Sequence, residues 1–286
     1  MDIKAISNPK KLAMINTFAG YGHCSTAVAL PIISTMGIQV CPLPTAILSN
    51  HLVFPKCNSY SFTEHMEPYT KAWRANKATF DGLYCGYLTD TAQFHHVLHF
   101  IKEFQPPLVV LDPVLGDHGR LYGATTAAHC DSLRQLLPHA HVITPNLTES
   151  CLLTGTTYPA QAQGAAHPDL IHISHATLEK ICCRLATLTP AAIVLTGIPY
   201  EKGMANVIYE KGILSIRPVE ITGPSRHGTG DAFGAVLTGS LMQGHTIKEA
   251  VDTASSFVSL CIATSDVAAI PPQEGLYFEA CLKTLL

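Results

Sequence analysis

Charge is scarce in this 286-residue chain: Asp, Glu, Lys and Arg make up 14% of it, with 18 basic residues against 21 acidic ones for a formal net charge of −3. The basic residues are scattered, the densest cluster being Lys10 and Lys11. That leaves no electrostatic footprint for a nucleic-acid partner or an anionic membrane, and a charged small molecule would need a local site. Long apolar runs are also wanting late in the chain. The uncharged stretch 253–265 is 13 residues, too short to span a bilayer, so no membrane association is expected. The first residues carry Asp2, Lys4, Lys10 and Lys11 without the apolar core of a secretory signal, so a cytoplasmic location is expected. The ten cysteines include no Cys-x-x-Cys pair and no zinc-ligand spacing, which argues for reduced thiols acting as small core residues. The fifteen histidines form no His-Glu-x-x-His helix. His95, His96 and His99 lie close together with no acidic or thiol ligand, and read as a solvated helix face. No Gly-x-x-x-x-Gly-Lys-Ser/Thr loop occurs, so any nucleotide is held by something other than a P-loop. No Gly/Ser linker, low-complexity tract or repeat divides the chain, and one domain over 1–286 is expected.

What is abundant is apolar residues, 47% of the chain, which excludes intrinsic disorder and calls for a large buried core. Short β-like runs at 12–19, 39–45, 80–85, 108–111, 142–144 and 192–196 alternate with helical patterns such as 91–104 and 178–188. This is the βαβ rhythm of a parallel sheet covered by helices on both faces. The runs 205–209 and 213–217, joined through Gly212, read instead as an antiparallel hairpin. The segment 156–174, rich in Ala, Pro, Gly and His, reads as a loop or lid.

The sharpest local signal is His227-Gly228-Thr229-Gly230-Asp231, opening an apolar helix to about Met242. The two glycines let backbone N–H groups approach an anion, and the helix start adds unpaired donors and a positive dipole end. A carboxylate in such a cradle repels an anion, but Asp231 would be useful if it took the proton of an attacking hydroxyl. A first-turn acid complementing the helix dipole is the equally available plain reading. Two further constellations end predicted strands, where open α/β sheets bind ligands. Asp112 and Asp117 follow one strand; Thr144, Asn146 and Glu149 follow another. Asn146 and Glu149, three apart, could share a helix face and hold a hydrated Mg²⁺, although Asp-Pro and Asn-x-x-Glu are also ordinary turn and capping residues.

With these residues in place the chain resembles the pyridoxal kinase family of the ribokinase-like superfamily. The likeness runs in order through Tyr21-Gly22-His23, Pro42-Leu43-Pro44-Thr45, Ser49-Asn50-His51, Gly86-Tyr87, Asp112 to Asp117, Thr144 to Glu149 and Gly228-Thr229-Gly230-Asp231. It implies a three-layer αβα sandwich with a mainly parallel central sheet and a small β flap. It also implies an ATP-dependent kinase acting on the 5′-hydroxymethyl group of pyridoxal, pyridoxine or pyridoxamine. Asp231 would be the base, with Gly228, Thr229 and Gly230 as the anion hole. Asp112, Asp117, Asn146 and Glu149 would organise Mg²⁺ and the ATP phosphates, Asp117 and Glu149 on the metal side. Thr144, Thr196 and Gly197 would line the nucleotide site. Tyr87 would pack on the pyridine ring and Thr45 would position its polar edge, although taken alone these two read as a core aromatic and a strand threonine. Thr17 stands where the family has a serine, His51 would be a further pocket residue, and 50–61 match the family's lid. A homodimer and assistance from a monovalent cation such as K⁺ are implied in the same way. The alternatives are a hydroxymethylpyrimidine kinase of the same superfamily and a non-catalytic B6-binding protein.

Overall fold

The computed structural model describes residues 8–123, 125–159, 173–201 and 203–286. The chain begins with β1 (Lys11–Ala19), α1 (Thr26–Thr35), β2 (Gln39–Leu48) and a short β3 (Ser59–Ser61). α2 (Thr63–Ala75), β4 (Gly82–Cys85), α3 (Thr91–Phe104) and β5 (Val109–Leu111) follow. A small hairpin, β6 (Gly116–Asp117) and β7 (Arg120–Leu121), precedes α4 (Ala127–Leu136), β8 (Val142–Ile143), α5 (Leu147–Thr154) and α6 (His175–Ala186). The last third comprises β9 (Ala192–Tyr200), β10 (Gly203–Glu210), β11 (Ile213–Val219), α7 (Thr229–Gln243) and α8 (Ile247–Val267).

Nine strands form one sheet in the order β11-β10-β9-β8-β5-β4-β1-β2-β3, and β6 and β7 form the small second sheet. From β9 across to β2 every pairing is parallel, and β10, β11 and β3 are antiparallel additions at the two edges. The central strands are apolar on both faces, and their side chains alternate between two cores. Ala13, Ile15, Leu83, Cys85, Val109 and Leu111 pack with α2 to α6 on one side. Leu12, Met14, Tyr84, Val110 and Val194 pack with α1, α7 and α8 on the other. The expected three-layer αβα sandwich is therefore present, and β6–β7 is its small flap.

Two strands outrun their sequence limits for the same reason. β2 continues past Thr45 because Ala46, Ile47 and Leu48 pair with Ser61, Tyr60 and Ser59 of β3. β9 continues past Thr196 because β10 folds back along it to Tyr200. Prolines at 42 and 44 make the β2 run look interrupted, yet it is tolerated beside β1 near the sheet edge. His95 and His99 are exposed on α3, as a solvated face requires. All ten cysteines are free thiols and seven are buried. Among the described residues no helix is long and apolar enough to cross a membrane. Most of the loop expected at 156–174 lies outside the described residues.

Candidate active site

Strand order decides where a site can form. The chain leaves β1 for β2 on one side and returns through α2 to β4 on the other, so the C-terminal ends of β1 and β4 flank a topological switch point. Asn16 and Thr17 lie in the C-terminal half of β1 there, and Gly86 and Tyr87 follow β4. α7 begins at Gly228, whose φ of 80° belongs to the left-handed region and whose missing Cβ would stand 2.4 Å from the His23 carbonyl oxygen. Only glycine fits that position. The first helical hydrogen bond runs from the Ala232 N–H to the Gly228 carbonyl, so the N–H groups of Thr229, Gly230 and Asp231 have no helical acceptor. Together with the helix dipole they form an anion cradle.

Asp231 in the first turn is partly exposed but surrounded by protein. Burial pushes its carboxyl up to about 6, against the Ser25 backbone N–H and the Asn16 amide, which favour the charged form. The Thr17 hydroxyl donates to Ser25 Oγ at 2.8 Å, so this expected pocket residue, 1% exposed, stands behind the segment that meets the base. Thr45 is fully buried and its hydroxyl donates to the Tyr87 carbonyl at 2.8 Å. Its hydrogen is thus spent on holding Tyr87, a partly exposed residue at the crevice. Gln93 fixes the Thr45 carbonyl in turn.

On the neighbouring strand ends Asp112 follows β5, its N–H bonded to the Cys85 carbonyl. The Tyr84 hydroxyl donates to Asp112 Oδ2 at 3.4 Å, and Gly234 of α7 leaves room for that hydroxyl. Burial first and the charge of Asp231 second push the Asp112 carboxyl up to about 7. Thr144 Oγ1 is buried without a hydrogen-bond partner and favours the Asp112 carboxylate. Thr196 N–H donates to the Pro145 carbonyl, and Gly197, with φ of 62°, donates to Asn206 Oδ1 at 3.0 Å.

Asn146 and Glu149 do not simply present two side chains from one helix face. They form a capping box on α5, with Asn146 Oδ1 accepting from the Glu149 N–H and Glu149 Oε2 accepting from the Asn146 N–H at 2.8 Å. Glu149 Oε1 also accepts from Leu115 N–H, and Asn146 Nδ2 donates to the Gly116 carbonyl, so the cap latches the β6–β7 hairpin to α5. Glu149 is 3% exposed, and burial followed by the charge of Asp112 raises its carboxyl well above the usual range. Asp117 sits on the hairpin, exposed.

Among the described residues no three His, Cys, Asp or Glu side chains converge to enclose an ion. A Mg²⁺ ion that keeps its waters and takes phosphate oxygens needs only one or two carboxylates. The donor set fits that mode: Glu149 and Asp117 supply carboxylate oxygens alone, and the charges of Asp112 and Asp117 both bear on Glu149.

The ring of His51 lies 4.8 Å from that of His227, directly before the anion cradle. Burial and the neighbouring His227 hold His51 down to about 4, so it is neutral at pH 7. His51 N–H donates to the Tyr21 carbonyl, and Ser49 N–H to the Asn58 carbonyl, closing residues 49–58 over this corner. The structure thus gathers Thr17, Thr45, Tyr87, Asp112, Thr144, Asn146, Glu149, Thr196, Gly197 and Gly228 to Asp231 along one sheet edge, with Asp117 on the flap and His51 on the closing loop. Sequence reasoning missed Asn16, Ser25, Tyr84 and Asn206. Only Asn16 carried a local signal, as a polar residue at the end of the apolar run 12–15.

The family model of phosphomethylpyrimidine kinase matches residues 75–270. A pyridoxine/pyridoxal/pyridoxamine kinase of Bordetella bronchiseptica is 31% identical over 268 residues, spanning 88% of this chain and 90% of the relative. A Bacteroides thetaiotaomicron protein provisionally designated phosphomethylpyrimidine kinase has a crystal structure with a TM-score of 0.88 at 34% identity, covering 98% of this chain and 96% of that one. Another crystal form of that protein, with pyridoxal, gives a TM-score of 0.85. Pyridoxal kinase from Lactobacillus plantarum shares the fold at a TM-score of 0.88 and 24% identity, over 98% and 97% of the two chains. The site at the β1/β4 crevice and these likenesses agree: the chain belongs to the pyridoxal kinase family of the ribokinase-like superfamily.

Proposed function

We propose that the protein transfers the γ-phosphoryl group of ATP to the 5′-hydroxymethyl group of a vitamin B6 vitamer, with Asp231 as the general base. The observation that carries this reading is a carboxylate in a protein-lined crevice, its pKa pushed up to about 6, in the same first helical turn as three N–H donors that lack helical acceptors. At pH 7 most of Asp231 is ionised, yet its raised pKa keeps it able to accept a proton. The hydroxyl oxygen attacks the γ-phosphorus, its proton passes to Asp231, and the bond from phosphorus to the β-phosphate oxygen breaks to release ADP. The backbone N–H groups of Thr229, Gly230 and Asp231 steady the transferring phosphoryl group, with Gly228 setting the turn that presents them, which positions charge rather than forming bonds. Tyr87 packs on the pyridine, held from behind by Thr45, and Thr17 supports the Ser25 segment beside the base. Asp112, Thr144, Asn146, Thr196 and Gly197 border the nucleotide. Asp117 and Glu149 would hold Mg²⁺, which when bound would neutralise phosphate charge. His51 and the 49–58 loop exclude water from the phosphoryl group.

A single domain over 1–286, a homodimer, a cytoplasmic location and help from a monovalent cation such as K⁺ complete the proposal and rest on the family resemblance. A second reading, a hydroxymethylpyrimidine kinase, is favoured by the description of the matching family model and the designation of the Bacteroides protein. A non-catalytic B6-binding protein has no such support, since the base and its cradle are intact. Asp231→Asn tests the mechanism. Turnover is expected to fall about 10²–10⁴-fold while ATP affinity stays within about threefold. Near-normal turnover would remove Asp231 from the reaction.

A further inference from the structure

Asn16 is 1% exposed, in the C-terminal half of β1. Its Oδ1 accepts two backbone hydrogen bonds, from Thr17 N–H at 2.9 Å and Tyr87 N–H at 3.0 Å. Both lone pairs of that oxygen are therefore occupied, which fixes which way the amide faces. The other end, Nδ2, is buried and reaches no acceptor at full hydrogen-bond geometry, the Asp231 carboxylate being the group on which it acts. A buried amide donor left unpaired is costly and calls for an explanation. Gly86 shows that the amide is accommodated deliberately: a Cβ there would stand 2.5 Å from Nδ2, 2.7 Å from Cγ and 2.8 Å from Oδ1 of Asn16.

We propose that Asn16 is a positioning residue for phosphoryl transfer: its carboxamide, pinned through Oδ1, turns Nδ2–H toward the Asp231 carboxylate, and Gly86 keeps the space that this orientation needs. This rests on the reading of Asp231 as the base. One amide then ties two halves of the site together, since the oxygen that anchors the Tyr87 backbone belongs to the same rigid plane as the nitrogen that orients the base. The Asn16 amide and the Ser25 N–H favour the ionised form of Asp231, against burial. The other groups that face Asp231 are Asp112 after β5, Tyr84 on β4, Cys24 ahead of α1 and Tyr122 after β7. Of these, Asp112 alone titrates near neutrality.

The test compares the full-length wild type with Asn16→Asp and Gly86→Ala, using Mg-ATP and pyridoxal. Asn16→Asp keeps the size and the accepting oxygen but loses the donor; Gly86→Ala pushes the amide away. In both, kcat is expected to fall at least about 30-fold with the ATP dissociation constant within about threefold. The acid limb of the kcat profile of Gly86→Ala, which adds no charge, is expected to move to higher pH, because the base loses a donor that favours its charge; in Asn16→Asp the added carboxyl moves it further in the same direction. A purely structural asparagine would leave the Gly86→Ala limb in place. Turnover within about threefold of wild type, or a loss of kcat with an unmoved acid limb, would overturn the proposal. Failure of both variants to fold would also overturn it by assigning the amide to the core. Silence of the wild type on pyridoxal would strike the kinase reading itself, before any variant is compared.

Discussion

Replacing Gly228 by alanine perturbs the anion cradle at its tightest point. The residue sits at φ 80°, and the new Cβ would lie 2.4 Å from the His23 carbonyl oxygen. Left-handed backbone costs an L-residue about 1–2 kcal/mol. The clash adds about 1–3 kcal/mol, because the obstructing atom is backbone and cannot rotate away. Restoring ordinary contact means separating the helix start from the His23 segment by about 1 Å. A shift of that size at a phosphoryl cradle is worth about 10²-fold in rate. The expected outcome is a melting temperature lower by roughly 3–8 °C and kcat reduced about 10²-fold. Gly230→Ala is the contrast, since it lacks a left-handed φ and its Cβ would meet nothing within 4 Å. Its stability is expected to stay within about 0.5 kcal/mol of wild type. Thermal unfolding followed by circular dichroism, with steady-state turnover of the same samples, reads both effects. An unchanged melting temperature and rate for Gly228→Ala, or equal destabilisation by the two alanines, would refute the reasoning.

Three further outcomes follow from the site. Burial raises Asp112 to about 7 and Asp231 to about 6, from an ordinary 3.8, so between these values the folded state binds more protons than the unfolded state. Their contribution to stability therefore falls as pH rises from about 4 to 7; without nucleotide or metal, the dependence of melting temperature on pH over this window should differ measurably in Asp112→Asn, and an identical slope would contradict the assignment. Glu149→Gln sets an amide nitrogen against one of the two backbone N–H groups its carboxylate now accepts, with an expected loss of about 1–3 kcal/mol by calorimetry and a higher Mg²⁺ requirement; wild-type stability would contradict the cap. Thr45→Val removes the donor to the Tyr87 carbonyl, so KM for the vitamer is expected to rise about 3–30-fold while KM for ATP holds, and an unchanged vitamer KM would detach Thr45 from the ring.

Local patterns carried the parts of this structure that are local. The alternation of apolar runs and helical periods yields the parallel sheet, and Gly212 marks the β10–β11 turn where Lys211 and Gly212 both adopt positive φ. Strand ends bearing Asp112, Thr144 and Asn146 were legible because open α/β sheets bind ligands there. The spacing of Asn146 and Glu149 was legible too, but it fits both a cap and a metal platform, and the cap takes their side chains first. Hydroxyls at Thr17 and Thr45 were visible, whereas their hydrogen bonds to Ser25 Oγ and the Tyr87 carbonyl were not. What escaped is non-local. The Asn16 amide meets Gly86 and Tyr87, which follow another strand, and the Tyr84 hydroxyl needs the bare Gly234 on α7. Such contacts depend on sheet order, which no short window of sequence contains.

The most direct measurement is the formation of phosphorylated product by purified protein with Mg-ATP, offered pyridoxal, pyridoxine, pyridoxamine and hydroxymethylpyrimidine side by side. The account predicts 5′-phosphate from at least one B6 vitamer, with stoichiometric ADP. Turnover confined to the pyrimidine, or no turnover on any of the four despite intact ATP binding, would contradict it.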